Sequence, residues 1–329
     1  MKANNSARRA WIPAACIGAA LVLSTLSAAA EAWPTKPVKM VVTYPPGGTV
    51  DAVARVIAPK LSARLGQPVV IDNRAGAGGA IGGDLVAKSA PDGYTVMLDA
   101  SNHSQNPALR SKMPFDTLRD LAPVSLLVRV PNVLVANPAA PIKDVKDLIA
   151  QAKAKPEQIN YASSGNGSAQ HLAAELFGVV AGVRMTHVAY KGGGPALTDV
   201  MAGQVPVFFA SLASSLPYIQ GGKLRALAVT GKARSPVLPQ IPTVAESGLA
   251  GYEVYEWNGV FVPAATPASV VERLSKELSA VMREPDVRAR LEAMGAEVIG
   301  STPAELESFR RAEIAKWTQV ARTNKIALD

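Results

Sequence analysis

One phrase occurs twice in this chain, and that repetition limits the possible folds more than any other feature. Residues 38–66 read VKMVVTYPPGGTVDAVARVIAPKLSARLG: a β-branched strand, a glycine-rich turn, then a helix closed by Gly66. Residues 158–182 read QINYASSGNGSAQHLAAELFGVVAG in the same order. Both turns finish on glycine followed by a hydroxyl residue, Gly48-Thr49 and Gly167-Ser168. A helix start carries backbone N–H groups that have no partner inside the helix, which makes it a natural site for an anion. Two such starts in two matching halves predict a clamp around something negatively charged.

Each half continues in parallel. After Gly66 the pattern predicts a strand over 68–72, a glycine turn over 74–79, a helix over 80–89 and a strand over 94–98. That strand ends in the polar cluster Asp99-Ala100-Ser101-Asn102-His103. The second half offers a strand over 184–188, the turn Lys191-Gly192-Gly193-Gly194, a helix over 195–201 and a strand over 205–209, ending in Ala210-Ser211. The expected fold is α/β, with two βαβαβ lobes. Right-handed crossovers put the glycine turns at the carboxyl edge of each sheet, where open α/β folds bind ligands. Pro131–Ala136 reads as a strand leaving the first lobe, and Tyr252–Val262 as the return. The expected lobes are therefore 33–132 with 257–329, and 133–256. Two crossings between them make a hinge that allows closure. Beyond Pro267 the pattern gives two amphipathic helical stretches around Gly295 and Ser301-Thr302-Pro303, the second with a capped start.

The first 32 residues read as a leader. Lys2, Arg8 and Arg9 precede an apolar stretch from Trp11 to Leu26, with cleavage expected after Ala30 or, preferably, Ala32. The apolar stretch is short for a membrane span and is interrupted by Pro13 and Gly18. Cys16 is the only cysteine, so the exported chain would have no disulfide, thiolate metal site or cysteine nucleophile. Without residues 1–32, 31 basic residues face 25 acidic ones, a net charge of +6. The basic residues are scattered and aromatic content is 5%, which argues against a nucleic-acid surface.

Catalytic patterns fail on inspection. Gly165-Asn166-Gly167-Ser168-Ala169 misplaces the serine of a nucleophile elbow, so Ser168 reads as a helix cap or first-turn hydroxyl. Neither Gly-Lys pair continues to Ser or Thr as a P-loop does. The run Gly76–Gly82 has Ile81 where a dinucleotide fingerprint needs its third glycine, and it reads as a tight turn. His171 and Glu175 stand four apart on a helix without a third metal ligand. No cofactor and no metal are expected. Asp51 would repel an anion, so its expected role is to organise its turn or hold a water. Tyr44 beside that turn is a candidate pocket wall, and His103 at a strand end is a candidate ligand contact.

Taken together, these motifs resemble a known family. Residues 44–55 (YPPGGTVDAVAR), 72–79 (DNRAGAGG), 92–95 (DGYT), 161–177 (YASSGNGSAQHLAAELF), 187–204 (HVAYKGGGPALTDVMAGQ) and 257–263 (WNGVFVP) are similar to the Bug receptors. These are the TctC-like extracytoplasmic solute receptors of tripartite tricarboxylate transporters. The resemblance implies a type II-like periplasmic-binding-protein fold, no enzymatic activity, and a large and a small membrane subunit as partners. It implies an organic carboxylate as ligand: a di- or tricarboxylate, an acidic amino acid or an aromatic acid. Carried onto this chain, the ligand residues are Tyr44, Gly48, Thr49 and Asp51 in one lobe, and Ser163, Ser164, Gly167 and Ser168 in the other. Ser101, Asn102 and His103, with Ala210 and Ser211, are secondary candidates. Ala75 and Asn258 depart from the family pattern, and Asn258 would alter ligand preference if it lined the pocket. No arginine stands in either ligand turn, so recognition would rest on N–H and O–H donors. A monomeric periplasmic receptor is expected. The alternatives are a receptor feeding a sensor kinase, and a periplasmic hydrolase using Ser168 or Ser211 with His171 or His103.

Overall fold

The computed structural model describes Met1 and residues 33–324 and 326–327. The leader expected over residues 1–32 lies, apart from Met1, outside the described residues. The first half comprises β1 (Val38–Val42), α1 (Thr49–Leu65), β2 (Val69–Asn73), α2 (Ala80–Ala87), β3 (Thr95–Ala100) and α3 (Asn102–Leu109). Then come β4 (Leu121–Ala136), α4 (Val145–Ala154), β5 (Asn160–Ser163), α5 (Ala169–Ala181), β6 (Thr186–Ala189) and α6 (Gly193–Met201). β7 (Val207–Ser211), α7 (Leu212–Gln220) and β8 (Arg225–Val229) complete the second half. The chain ends with β9 (Tyr255–Pro263), α8 (Ala268–Met282), α9 (Pro285–Ala293), β10 (Glu297–Val298) and α10 (Pro303–Asn324).

The strands follow the order β2-β1-β3-β9-β4-β7-β5-β6, with β8 and β10 also on β4. β1 pairs in parallel with β2 and β3, and β5 pairs in parallel with β6 and β7. These are the two matching units, and in both the glycine turns follow the carboxyl ends of strands. β4 joins them. Its residues 121–131 pair with β9, whereas Asn132–Ala136 pair with β7. The change of partner falls between Pro131, opposite Tyr255, and Asn132, opposite Ser211.

Three expectations about elements need correction. A strand was expected only from Pro131, but β4 begins at Leu121. Its two prolines look like breakers, yet Pro123 sits at a register shift and Pro131 at the change of partner, places that tolerate a missing N–H. Ser101–His103 is not a strand-end loop: α3 starts at Asn102, and its Asn102, His103, Ser104, Gln105 and Asn106 are all buried. A helix this polar has no apolar stripe to announce it. The tail forms three helices rather than two, because Pro285 opens α9 in the middle of the first expected stretch.

The last helix packs mainly on α3 and β4. Leu306 belongs to the buried cluster of Trp257 and Phe261, while Trp317 and Ala321 belong to the one that holds Leu109 and Leu134 together with Leu172 and Phe177. Its start is closed by a capping box, Thr302 N–H to Glu305 Oε2 at 2.8 Å and Glu305 N–H to Thr302 Oγ1 at 3.3 Å. Among the described residues no helix is long and apolar enough to cross a membrane.

Candidate ligand cleft

The repeated phrase places α1 and α5 on opposite sides of the seam between the lobes, but the two turns are built from different parts. In the first lobe, Gly47 adopts φ +84°, and Gly48 is the N-cap of α1 with no side-chain cap. Its first-turn N–H groups are left for an outside acceptor. Asp51 supports this turn from beneath. Its carboxylate accepts from Gly47 N–H at 3.0 Å, Arg55 Nε at 2.8 Å and Asn73 Nδ2 at 3.0 Å. Burial pushes this carboxyl up, but the three donors outweigh that and hold it below its ordinary range. Asn73 also donates to the Tyr44 carbonyl at 3.0 Å, so β2 fixes the turn that follows β1.

In the second lobe the cap is a side chain. Ser168 Oγ accepts from His171 N–H at 3.2 Å, and Gly167 N–H donates to His171 Nδ1 at 3.1 Å. His171 stacks on His187 with ring centres 3.9 Å apart. His187 Nε2 lies 2.6 Å from Ser163 Oγ, which accepts from Gly165 N–H at 3.0 Å. Burial pushes both imidazoles down to about 4, so both are neutral at pH 7. Gly167 and Ser168 N–H are thus already used, the latter by Gly165 O. What α5 can offer a ligand is its next N–H groups, at Ala169 and Gln170.

The lobes meet across these turns. Tyr44 Oη donates to Asn102 Oδ1 at 2.6 Å, and Asn102 Nδ2 donates to the Gly167 carbonyl at 2.5 Å. Thr49 Oγ1 lies 3.4 Å from Ser211 Oγ. Tyr44, Thr49, Asn102, Gly167 and Ser211 are therefore gathered at one seam. The Gly76–Gly79 turn supports α3 there: Asn106 Nδ2 donates to Gly78 O at 2.8 Å, and a Cβ on Gly78 would stand 3.2 Å from Asn102 Nδ2.

Other candidates lie deeper or at the edge. His103 is buried, with Nδ1 3.2 Å from Asp99 Oδ2 and its ring stacked on Phe261 at 3.8 Å. It belongs to the packing of the first lobe. Ser101 is fully buried, and its hydroxyl has no hydrogen-bond partner among the described residues. Ala210 is buried in β7 opposite Val133. Ser164 is half-buried beside Gly193, where an added Cβ would stand 3.3 Å from its Oγ.

Sequence reading missed a polar cluster at the crossing. Gln170 Nε2 donates to Asn132 Oδ1 at 3.2 Å and to Glu256 Oε2 at 3.4 Å, and the Ser211 hydroxyl also bonds Glu256. Burial raises the Glu256 carboxyl to about 7, only partly offset by those two bonds. The one glutamate of the largely apolar, fully buried strand β9, YEWNGVFVP, was the available signal.

This arrangement offers two facing helix starts with hydroxyl and amide groups around them, and its one Ser–His side-chain contact among the described residues, Ser163 with His187, ties down the Gly165 turn. Among the described residues no group of three or more His, Cys, Asp or Glu could hold a metal ion. Residues 53–326 match the family model described as tripartite tricarboxylate transporter family receptor. The protein BugT of Bordetella pertussis is 39% identical over 295 residues, covering 89% of this chain and 90% of its own. The structure of Rpa4515 from R. palustris with adipate superposes with a TM-score of 0.84 at 40% identity, covering 90% of this chain and 99% of that one. MatC from Rhodopseudomonas palustris, with bound malate, gives 0.80 at 34% identity over 87% and 99%. These are two-lobed solute-binding proteins and not enzymes. The chain belongs to the family of tripartite tricarboxylate transporter receptors.

Proposed function

We propose that this protein captures an organic carboxylate between its lobes, at the seam where α1 and α5 start, and delivers it to the membrane subunits of a tripartite tricarboxylate-type transporter. The observation that carries this reading is the uncapped start of α1, facing Ser211 and the α5 turn across the seam. Backbone N–H groups and hydroxyls there can hold a carboxylate without an arginine. The adipate and malate bound by the two relatives supply the ligand class. The working lobes are 33–132 with 257–329, and 133–256. The leader, residues 1–32, directs the chain to the periplasm, where it works as a monomer.

Micromolar affinity needs about −8 kcal/mol. A few charge-assisted hydrogen bonds at roughly 1.5–3 kcal/mol each supply that after ordering costs. The test is calorimetric titration of the mature protein with di- and tricarboxylates, acidic amino acids and aromatic acids. Thr49→Ala is expected to weaken the best ligand about tenfold, the loss of one such bond. No binding by any member of the set, or an unchanged affinity in Thr49→Ala, overturns the site.

A further inference from the structure

Glu256 sits in the seam with no salt-bridge partner among the described residues. The residue is 9% exposed, and the side chains that bond its carboxyl are neutral: Gln170 from the first turn of α5 and Ser211 from the end of β7. Asn132 of β4, also neutral, shares the Gln170 amide, and its own Nδ2 has no partner among the described residues. The titratable group that faces it from the first lobe is the Tyr44 phenol, held neutral by burial and by the charges of Asp99 and Glu256, with Arg110 acting weakly the other way. On β4, Arg129 is engaged elsewhere, with Glu297 at 2.7 Å and over the Tyr255 ring at 4.8 Å. The seam's two other carboxylates are well supplied with donors. Asp51 has Arg55, Gly47 and Asn73, while Asp99 has Thr43, the Ala100 N–H and His103.

The position of this carboxyl matters as much as its isolation. Ser211 touches both Glu256 and Thr49, and Gln170 lies two residues beyond Ser168. Glu256 therefore lies between the two helix starts that would hold a ligand anion. Two carboxylates sharing a dry site cannot both ionise without a large cost, so one of them keeps a proton and donates it to the other. Burial, only partly offset by the bonds from Ser211 and Gln170, already raises the Glu256 carboxyl to about 7, and a neighbouring anion pushes it further in the same direction.

We propose that Glu256 contacts the ligand as a protonated acid, its O–H donating to the bound carboxylate, so that the receptor captures its anion together with one proton from solvent. This rests on the carboxylate reading above. It deepens that reading by naming a donor on the crossing strand and a second bound species.

Adipate and malate are the probes, titrated calorimetrically into the mature protein from about pH 6.5 to about 9, where both are ionised, in two buffers of different ionisation heat. The wild type is expected to take up close to one proton on binding at the alkaline end. Its affinity should fall about tenfold per pH unit above the free Glu256 titration. Glu256→Gln keeps a donor that cannot titrate, so its affinity should be flat across the range and its heat independent of buffer. Wild-type affinity that is flat, with no buffer-dependent heat, overturns the proposal and leaves the carboxylate reading standing. A slope that persists in Glu256→Gln assigns the proton elsewhere and also overturns it. Failure of both probes and of every other carboxylate to bind at any pH overturns the carboxylate reading and the proposal together. If the variant does not fold, wild-type heats that do not depend on buffer still overturn the proposal.

Discussion

Acidification should unfasten the second-lobe turn through His171. The Gly167 N–H needs His171 Nδ1 as an unprotonated acceptor at 3.1 Å, and the ring is sandwiched against His187 at 3.9 Å. The His171 side chain is 10% exposed, and burial moves its pKa from 6.5 to about 4. A lowered folded value means that the unfolded chain takes the proton first as pH falls. The stabilisation is fully present above about pH 6.5 and is lost as pH falls through about 4. At about 1.4 kcal/mol per unit, the shift corresponds to about 3 kcal/mol for this one ring. His187 moves in the same direction, through burial first and the neighbouring His171 second, but it is more open to water and adds less. The assay is urea unfolding at steps from pH 7 to pH 4, for the wild type and for His171→Asn. Asparagine can present an oxygen near the Nδ1 position to Gly167 without titrating. Carboxylates such as Asp51 lose stability in acid in both proteins, so the difference between the two profiles isolates the ring. The wild type is expected to lose about 3 kcal/mol more than the variant over that window. Parallel profiles would refute the account of the turn.

Ser168→Ala removes the α5 cap and should cost about 1 kcal/mol, read as a lowered melting temperature. Asn102→Ala breaks the link from Tyr44 to Gly167 across the seam, so small-angle scattering of the ligand-free variant should show a larger radius of gyration; an unchanged radius would mean that the link does not hold the lobes together. Trp317→Ala empties a buried site on α10 in the cluster that holds Leu109 and Leu134, with a loss of about 3–5 kcal/mol expected in denaturant unfolding.

The repeat was legible because it is written in backbone requirements. Gly47, Gly165 and Gly167 have φ of +84°, +126° and +70°, conformations that glycine adopts without strain. Strand, turn and helix could therefore be placed in both halves, as could the capping box that starts α10. What holds each turn could not be read in the same way, because its supports lie far away in sequence. Asp51 on α1 meets Asn73 at the end of β2, while Ser163 meets His187 across β5–β6. The polar helix α3 was hidden for a related reason: its asparagines face protein rather than water, which only the packing of the Gly76–Gly79 turn and the second lobe makes favourable. Glu256 stood out in its largely apolar strand, but its partners Gln170 and Ser211 lie too far away in sequence for their meeting to be read. Similar phrases thus encode similar backbones with different free donors. The first lobe spends an aspartate to leave its helix start open, whereas the second uses its hydroxyl as the cap. Thr49 and Ser168 are then not equivalent positions, although the sequence aligns them. If so, Thr49→Ala should act mainly on ligand affinity and Ser168→Ala mainly on stability. A pair of variants with the same balance of effects would mean that the repeat extends to function as well as to shape.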